Sequence, residues 1–557
     1  MLLLICAVFS AARNNNENRP FPVTFTDIAA RAGLRETIVY GGIDSKKYII
    51  ETNGCGVAFF DFDNDGWVDV FVMNGTRLEG FQKGQEPTNH LYKNNRNGTF
   101  TDITEKANLR RTGWASGITV GDYDNDGFED LFLTYYGQNV LYRNKGNGTF
   151  EDVTKQSGFP ASGTRWGSGA TFIDFDRDGK LDLFVANYLK FDVATAPEPG
   201  KGGNCFWKGI PVNCGPKGLP TDTNLLYRNN GNGTFTDVSE KSGISKVTGR
   251  YSMTAIVTDF NNDGWTDIYV ACDSTSSTMY RNNKDGTFSD VSLESGTAYN
   301  EDGNAQAGMG VTIGDYDNDG FPDIFKTHFA DDLPILYKNS GKEFFDDASR
   351  MAGFDHTRYV QWGTGFADFD NDGWQDILTV TGNVYPEVEK FFKEYPHRSP
   401  RLLYQNLGNG RFKDVSAIAG AGITEPRSSR GSAYGDFDND GDIDVLVMNM
   451  NEPPLLLQNN LKSENGWLKV KLTGTKSNRS AVGSRVTVKI GEKVQMQELT
   501  AQTSYYSYND PRLHFGLGNE KKIDSIEIRW ANGQIETVKN VSANQIVTIK
   551  EGSGIIK

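Results

Sequence analysis

A nine-residue acidic segment recurs seven times along the chain, starting at Asp61, Asp122, Asp174, Asp259, Asp315, Asp368 and Asp436, about 62 residues apart on average. "DYDNDGFED" (122–130) shows the pattern: carboxylates at positions 1, 3, 5 and 9, an aromatic ring at 2 and glycine at 6. A fixed period of this length forces a repetitive architecture with one supersecondary unit per repeat. After each segment come an apolar run such as "LFLTYY", a Leu-Tyr pair or close variant, a turn such as "RNKGNGTF", and "F-x-D". Runs of β-formers joined by Asn-Gly turns make hairpins, so each repeat is predicted to be one small antiparallel sheet.

The ends of the array specify how it finishes. "FTDIAARAGL" (25–34) supplies a lone F-x-D strand before the first acidic segment, while the seventh repeat stops at "LLLQNNL" without one. The counts balance if the N-terminal strand completes the last sheet, whereas an open solenoid has no use for the offset. The predicted fold is therefore all-β, a seven-bladed β-propeller over residues 21–460. From Trp467 the signature gives way to period-2 runs such as "WLKVKL", "RVTVKI" and "IDSIEIRW", predicting a small β-sandwich of about seven strands over residues 467–551.

Alternating carboxylates converge on one point only where the chain wraps around it, and glycine at position 6 permits the sharp turn. Hard oxygen ligands in this number suit Ca²⁺, with the position-7 carbonyl completing the shell. The candidate ligands are Asp61, Asp122, Asp174, Asp259, Asp315, Asp368 and Asp436 at position 1, and Asp63, Asp124, Asp176, Asn261, Asp317, Asp370 and Asp438 at position 3. Asp65, Asp126, Asp178, Asp263, Asp319, Asp372 and Asp440 stand at position 5, and Asp69, Asp130, Asp182, Asp267, Asp323, Asp376 and Asp444 at position 9. Seven equivalent copies do not build one glycosidase active site. Metal-free turns would leave 27 aspartates at 28 ligand positions to repel one another. Up to seven structural Ca²⁺ would nearly cancel the formal charge of -15, and their removal should loosen the sheets. Asn261 in the fourth loop, and Arg177 and Lys180 in the third, weaken the local negative field, so these two loops should bind least tightly. The position-2 aromatics read as packing residues between sheets.

Between the position-9 Asp and the Leu-Tyr pair, the first, third and sixth repeats carry insertions. All three occupy the same connection and should crowd one face, and long loops on a rigid scaffold commonly carry binding. Their Trp207, Tyr385, Phe391, Phe392, Tyr395, His397 and Arg398 form a candidate face for a glycan or an extracellular protein; the alternative is that they cap the channel and pack on the C-terminal module. Cys205 and Cys214 could close a disulfide loop, which would suit an oxidising compartment; Cys55 and Cys272 read as buried and unpaired. "MLLLICAVFSAA" reads as a signal peptide over residues 1–13 that lacks its basic leader, predicting a secreted, periplasmic or cell-surface protein. No later run approaches the roughly 18 apolar residues of a membrane span. With 72 acids against 57 bases, a nucleic-acid partner is disfavoured. No GxSxG, HExxH or P-loop nominates a catalytic residue.

The repeat "GDYDNDGFEDLFL…LYRNKGNGTFEDVT" resembles the FG-GAP (VCBS) repeat of integrin α-subunit heads and many secreted bacterial proteins. "SNRSAVGSRVTVKIGEKVQMQEL", "SYYSYNDPRLHFGLG" and "IDSIEIRWANGQ" resemble the ASPIC and UnbV domain, which follows such a propeller in the cartilage acidic protein family and its bacterial relatives. The resemblance spans Phe21 to Glu551 and implies a secreted or cell-surface Ca²⁺-binding propeller, with adhesive or matrix roles in animals. Positions 1, 3, 5 and 9 match the repeat's metal ligands, Asn261 being the departure. The lack of a membrane anchor and of an epidermal-growth-factor-like tail points to a bacterial relative. A binding or adhesion module is the expected function; the alternatives are a polysaccharide lyase or hydrolase using the inserted face, and a purely structural assembly module.

Overall fold

The computed structural model describes residues 19–160 and 163–556; the expected signal segment lies outside them. Among the described residues, the strands from Phe25 to Asn459 form seven four-stranded antiparallel units, five of them separate sheets and two, the second and third, joined into one eight-stranded sheet where Arg165 and Trp166 pair with Gly137 and Tyr136; Phe206–Trp207 and Ile210–Pro211 add a two-stranded hairpin. The second sheet is typical, with strands Trp114–Gly121, Asp130–Gly137, Val140–Asn144 and Phe150–Asp152. In each sheet the acidic segment joins the first strand to the second, and its position-9 Asp opens the second strand. In the first six a short glycine-containing turn, Asn-Gly in four of them, joins the third strand to the fourth. First strands such as Val57–Phe60 and Ser252–Thr258 are buried along their whole length, and so read as continuous apolar or small-residue runs. In the fourth strand Phe100–Asp102 only the phenylalanine is buried, because this strand is the outer edge.

The seventh sheet consists of Ser429–Gly435, Asp444–Asn449, Leu455–Asn459 and the N-terminal strand Phe25–Asp27, with Phe25 opposite Asn459 and Asp27 opposite Leu457. The offset in the repeat count is thus resolved by pairing across the length of the chain. Each position-2 aromatic packs on the F-x-D phenylalanine of another sheet: Phe62 on Phe150, Tyr123 on Phe235, Phe175 on Phe288, Phe260 on Phe345, Tyr316 on Phe412, Phe369 on Phe25 and Phe437 on Phe100, with ring centroids 5.4–6.4 Å apart. These rings fill the space between sheets, as read from their repetition.

Eight strands from Gly466 to Ile556 form two further four-stranded sheets around Leu468, Val488, Phe515, Ile526 and Trp530, and Gly466–Thr473 runs parallel to Gln545–Lys550. The eighth strand, Gly554–Ile556, lies beyond the alternation from which about seven were counted.

From this C-terminal unit a segment over residues 501–510 enters among the first strands. The Phe59 amide donates to Tyr508 O at 3.1 Å, Ile118 to Tyr506 O at 3.0 Å, Val311 to Ser504 O at 2.7 Å, Thr364 to Ser504 Oγ at 3.0 Å and Tyr434 to Asn509 Oδ1 at 3.0 Å. First strands are prepared for this by bulges, which take backbone groups out of the sheet ladder. Register shifts fall between Ala115 and Ile118, Gly308 and Val311, and Gln361 and Thr364, and the amide after each shift is one that bonds the segment. Gly56 must be glycine, since a Cβ there would lie 1.8 Å from Tyr506 O.

Candidate metal centres

Each acidic loop is wound by its own backbone. Position 4 takes a left-handed conformation, with φ 56° at Asn64 and 60° at Asn125, and glycine at position 6 follows with φ 86° and 99°. Asparagine tolerates that region better than most residues, which explains its recurrence at position 4. In the first loop Asp61 accepts from the amides of Asp65 (2.9 Å) and Gly66 (3.0 Å), and Asp69 from those of Asn94 (2.7 Å) and Phe62 (3.3 Å). The same contacts recur around Asp122 and Asp130.

Carboxylates thereby converge. Six groups of three acidic side chains each bring one ligand atom apiece within 4.8 Å of one another. Positions 1, 3 and 9 meet in the first, second, third and fifth loops, and positions 1, 3 and 5 in the sixth. Position 5 in the first three loops also meets a basic residue: Arg96 lies 2.8 Å from Asp65, Arg143 2.9 Å from Asp126 and Lys180 2.6 Å from Asp178. Burial pushes the Asp69 carboxyl up to about 8 and those of Asp122, Asp174 and Asp315 to about 7, and it raises Asp130, Asp182 and Asp323 well above the ordinary range.

The donor set fits a hard divalent cation. Oδ1 of the position-3 residues Asp63, Asp176, Asp317, Asp370 and Asp438 is buried without a hydrogen-bond partner, and Asp65, Asp174, Asp267 and Asp372 each have a further oxygen without one. Buried polar atoms are rarely left unpaired in this way without a ligand. A bound Ca²⁺ would supply the positive charge that lets buried carboxylates ionise together.

The insertions leave the sheets at the opposite end from the acidic loops, because successive antiparallel connections alternate ends. The third and sixth insertions meet there. The Trp207 ring centroid lies 4.8 Å from that of Tyr395 and 6.2 Å from Tyr385, and Lys208 Nζ sits 4.8 Å from the Tyr395 ring while pairing with Asp331 at 2.6 Å. Cys205 and Cys214 are disulfide-bonded, and Cys55 and Cys272 are buried free thiols. Phe391 is exposed and Phe392 lies near Tyr395, but Tyr385 is buried beneath, His397 is kept neutral by burial, which pushes it down to about 3, and Arg398 turns to Glu452 at 2.5 Å. The seven nominated residues therefore do not share one open surface. Nor do these insertions pack on the C-terminal sheets, which dock at the acidic end through Arg485 on the Asp259 carbonyl (3.1 Å) and Arg512 on the Asp436 carbonyl (2.8 Å).

Two family models match this geometry. The FG-GAP-like repeat matches residues 61–133, 122–185, 218–270, 259–325 and 397–447, and ASPIC and UnbV matches residues 474–556. The chain belongs to the FG-GAP-like repeat family. Over 524 residues it is 24% identical to human cartilage acidic protein 1, covering 89% of this chain and 71% of that protein. It is 26% identical to the Xenopus tropicalis protein of the same name over 516 residues, covering 89% and 72%. Among solved structures, the BP39L lectin from Burkholderia pseudomallei aligns with a TM-score of 0.42 and 9% identity, over 74% of this chain and 96% of that one.

Within the FG-GAP-like repeats, two features escaped the sequence reading. Position-4 asparagines link loops: Asn64 Nδ2 donates to Gly127 O (2.8 Å), Asn125 to Gly179 O (3.0 Å), Asn318 to Gly373 O (3.1 Å) and Asn439 to Gly66 O (3.2 Å). The recurring "DNDG" carried that signal. Arg177 replaces this asparagine in the third repeat and stacks on Trp265 at 4.3 Å, so its charge falls first on Asp259 and Asp263 of the fourth loop and less on Asp174 of its own. Secondly, basic residues of the C-terminal unit reach position 1: Arg529 Nη2 lies 2.5 Å from Asp259 Oδ2, Lys471 Nζ 3.4 Å from Asp61 Oδ2, and Lys469 pairs with Asp436 in full burial. "WLKVKL" showed the alternation that puts Lys469 and Lys471 on one face, but not what that face meets.

Proposed function

We propose that the chain is an extracytoplasmic, Ca²⁺-stabilised recognition protein, in which residues 21–460 close a seven-bladed propeller and residues 467–551 form a domain docked on its acidic end. Closure is supported by the first strand of each sheet lying against the first strand of the next, with Ser429–Gly435 returning to Val57–Phe60. The loop contact from Asn439 to Gly66 and the Phe437–Phe100 pair span the same seam. Ca²⁺ would hold the loop end rigid through positions 1, 3 and 9, leaving the insertion end to carry recognition. The disulfide fits an oxidising compartment. Among the described residues, no helix is long and apolar enough to cross a membrane.

The observation that carries the reading is the junction of the third and sixth insertions. The two insertions are held together by Trp207 on Tyr395 and by Asp331 of the fifth repeat, which pairs with Lys208 and accepts from Tyr395 OH, with a disulfide behind them. Such rigidity lowers the ordering cost of binding, which is how a loop surface becomes a recognition surface. The ligand class favoured is a glycan. The test is a glycan array probed with the purified protein in Ca²⁺ and in chelator, with polysaccharide cleavage followed on every hit. Saturable, Ca²⁺-dependent binding without cleavage is expected; cleavage would place the chain among polysaccharide lyases or hydrolases, and silence from a folded protein would sink the glycan reading.

A further inference from the structure

Beneath the joined insertions lies a cavity of about 340 Å³ that no family match assigns. Its floor includes Trp362, whose ring meets Tyr505 of the inserted C-terminal segment at 5.0 Å. Its roof is residues 213–217 of the third insertion. That roof is pinned by the neighbouring Cys205–Cys214 bridge, by Gly215 N–H donating to Asn204 O at 3.0 Å, and by Asn204 Nδ2 donating to Lys217 O at 2.7 Å. Lys217 and Gly215 are not buried, so the space is reachable from their edge.

The cavity wall carries polar groups of both kinds. Asn53 and Asn213 are 3% and 1% exposed, and the Nδ2 of each is buried with no hydrogen-bond partner. Asp273 faces the same space, its Oδ2 accepting from Tyr188 OH at 2.5 Å and its Oδ1 from Ser274 Oγ at 2.8 Å, which fixes the carboxyl and leaves a lone pair on each oxygen. Tyr385 and Trp362 add aromatic surface.

This chemistry selects among ligands. An apolar molecule would leave the amide donors unpaired at the cost of a buried unsatisfied group each. An anion would meet Asp273 and Asp332, and a cation drawn to those carboxylates would still leave the Asn53 and Asn213 N–H donors without an acceptor. A molecule whose every hydroxyl both donates and accepts, with apolar faces between, satisfies all of them. We propose that the cavity is a binding site for one neutral sugar residue, with Asn53 and Asn213 donating to its oxygens and Asp273 accepting from its hydroxyls. The volume falls within the range of small-molecule sites and exceeds one hexose ring. The disulfide then has a purpose beyond holding the insertion: it sets Asn213 over the ligand.

The proposal rests on the glycan-recognition reading, and the test separates the two. Methyl glycosides of neutral hexoses and N-acetylhexosamines, with uronic-acid and amino-sugar counterparts, are titrated into the full chain in Ca²⁺ and followed by saturation-transfer NMR and calorimetry. At least one neutral glycoside should bind. Asn213→Ala and Asn53→Ala should each weaken it about tenfold, one lost hydrogen bond apiece, and reduction of the disulfide should weaken it as well. Leu293→Ala, an exposed residue of the fourth repeat outside the cavity, should leave it unchanged, and melting curves confirm that each variant is folded. Array binding that persists in both asparagine variants and disappears in Phe391→Ala overturns the cavity site but leaves glycan recognition standing. Binding of charged sugars alone, or of no glycoside in the panel, overturns the proposal outright.

Discussion

Position 3 sets the fourth loop apart from the other six. Asn261 occupies it and donates to Asp263 Oδ2 at 3.1 Å, while Arg529 sits 2.5 Å from Asp259 and Lys284 3.1 Å from Asp263. Protein cations already neutralise this loop, so it should be the last to fill in a Ca²⁺ titration. The double variant Asn261→Asp with Arg529→Ala should bind Ca²⁺ at this loop at least about tenfold more tightly, a gain on the scale of one added charge contact; an unchanged titration would argue that Arg529 does not compete. The buried carboxyls make a second, pH-dependent claim. Asp69 is raised from 3.8 to about 8, and Asp122, Asp174 and Asp315 to about 7, by burial. A carboxyl whose folded value is raised stabilises the fold while protonated, fully below about pH 4, and loses that contribution as pH climbs through 7 to 8. Chelated protein should therefore melt at progressively lower temperature between pH 4 and pH 8. Ca²⁺ needs the ionised form, so the melting temperature it restores should be largest at pH 8 and small at pH 5, and a chelated protein whose melting point is flat across this range would contradict the assignment.

Among the elements, the asparagine ending each third strand fastens one sheet to another. Asn229 Nδ2 donates to the carbonyls of Tyr123 (2.8 Å) and Leu181 (3.0 Å), and its Oδ1 accepts from Gly231 N–H (2.9 Å); Asn144 reaches Phe62 O and Asn282 reaches Phe175 O in the same way. Asn229→Ala strands these buried groups and should cost about 3 kcal/mol of unfolding free energy in denaturant titration. Asn147→Ala, in an exposed turn where Asn147 only accepts from Thr149, should cost less than about 1 kcal/mol. Equal losses at the two sites would remove the inter-sheet role. This pair also marks what was legible in the sequence. The repeat spacing, the hairpin turns, the acidic loops and the N-terminal strand's missing partner are all local or periodic patterns, and they yielded the sheets and the candidate ligands. Asn229 was visible as a repeated letter, but its partner Tyr123 lies 106 residues earlier. His397 and Tyr385 looked like surface residues because an insertion carries no periodicity from which to read burial. The segment over 501–510 was recognisable by its residues, yet nothing local in "TSYYSYND" says that it pairs with strands hundreds of residues away.

At the scale of the whole molecule, that segment makes the two parts of the chain interdependent. The amides of Phe59, Ile118, Val311, Thr364 and Tyr434 all find their acceptor on it, and Tyr505 and Tyr506 are fully buried among the first strands. A bulge that lifts an amide out of its own sheet is stable only if something else accepts from it. Removing residues 466–557 would leave at least five buried donors unpaired, at about 1–3 kcal/mol each, and would empty the space filled by two tyrosines. The total reaches the 5–15 kcal/mol net stability of a typical domain. A chain ending at residue 465 is therefore expected to give no cooperative melting transition even in saturating Ca²⁺, whereas the full chain does. In the full chain, hydrogen exchange should protect the amides of Ile118 and Val311 as strongly as those within the second strands. If the shortened chain melted cooperatively at an unchanged temperature, the C-terminal unit would be an accessory to a self-sufficient array; if it fails to fold, the ASPIC and UnbV domain supplies part of the array's core, and the repeats and the domain must fold as one body.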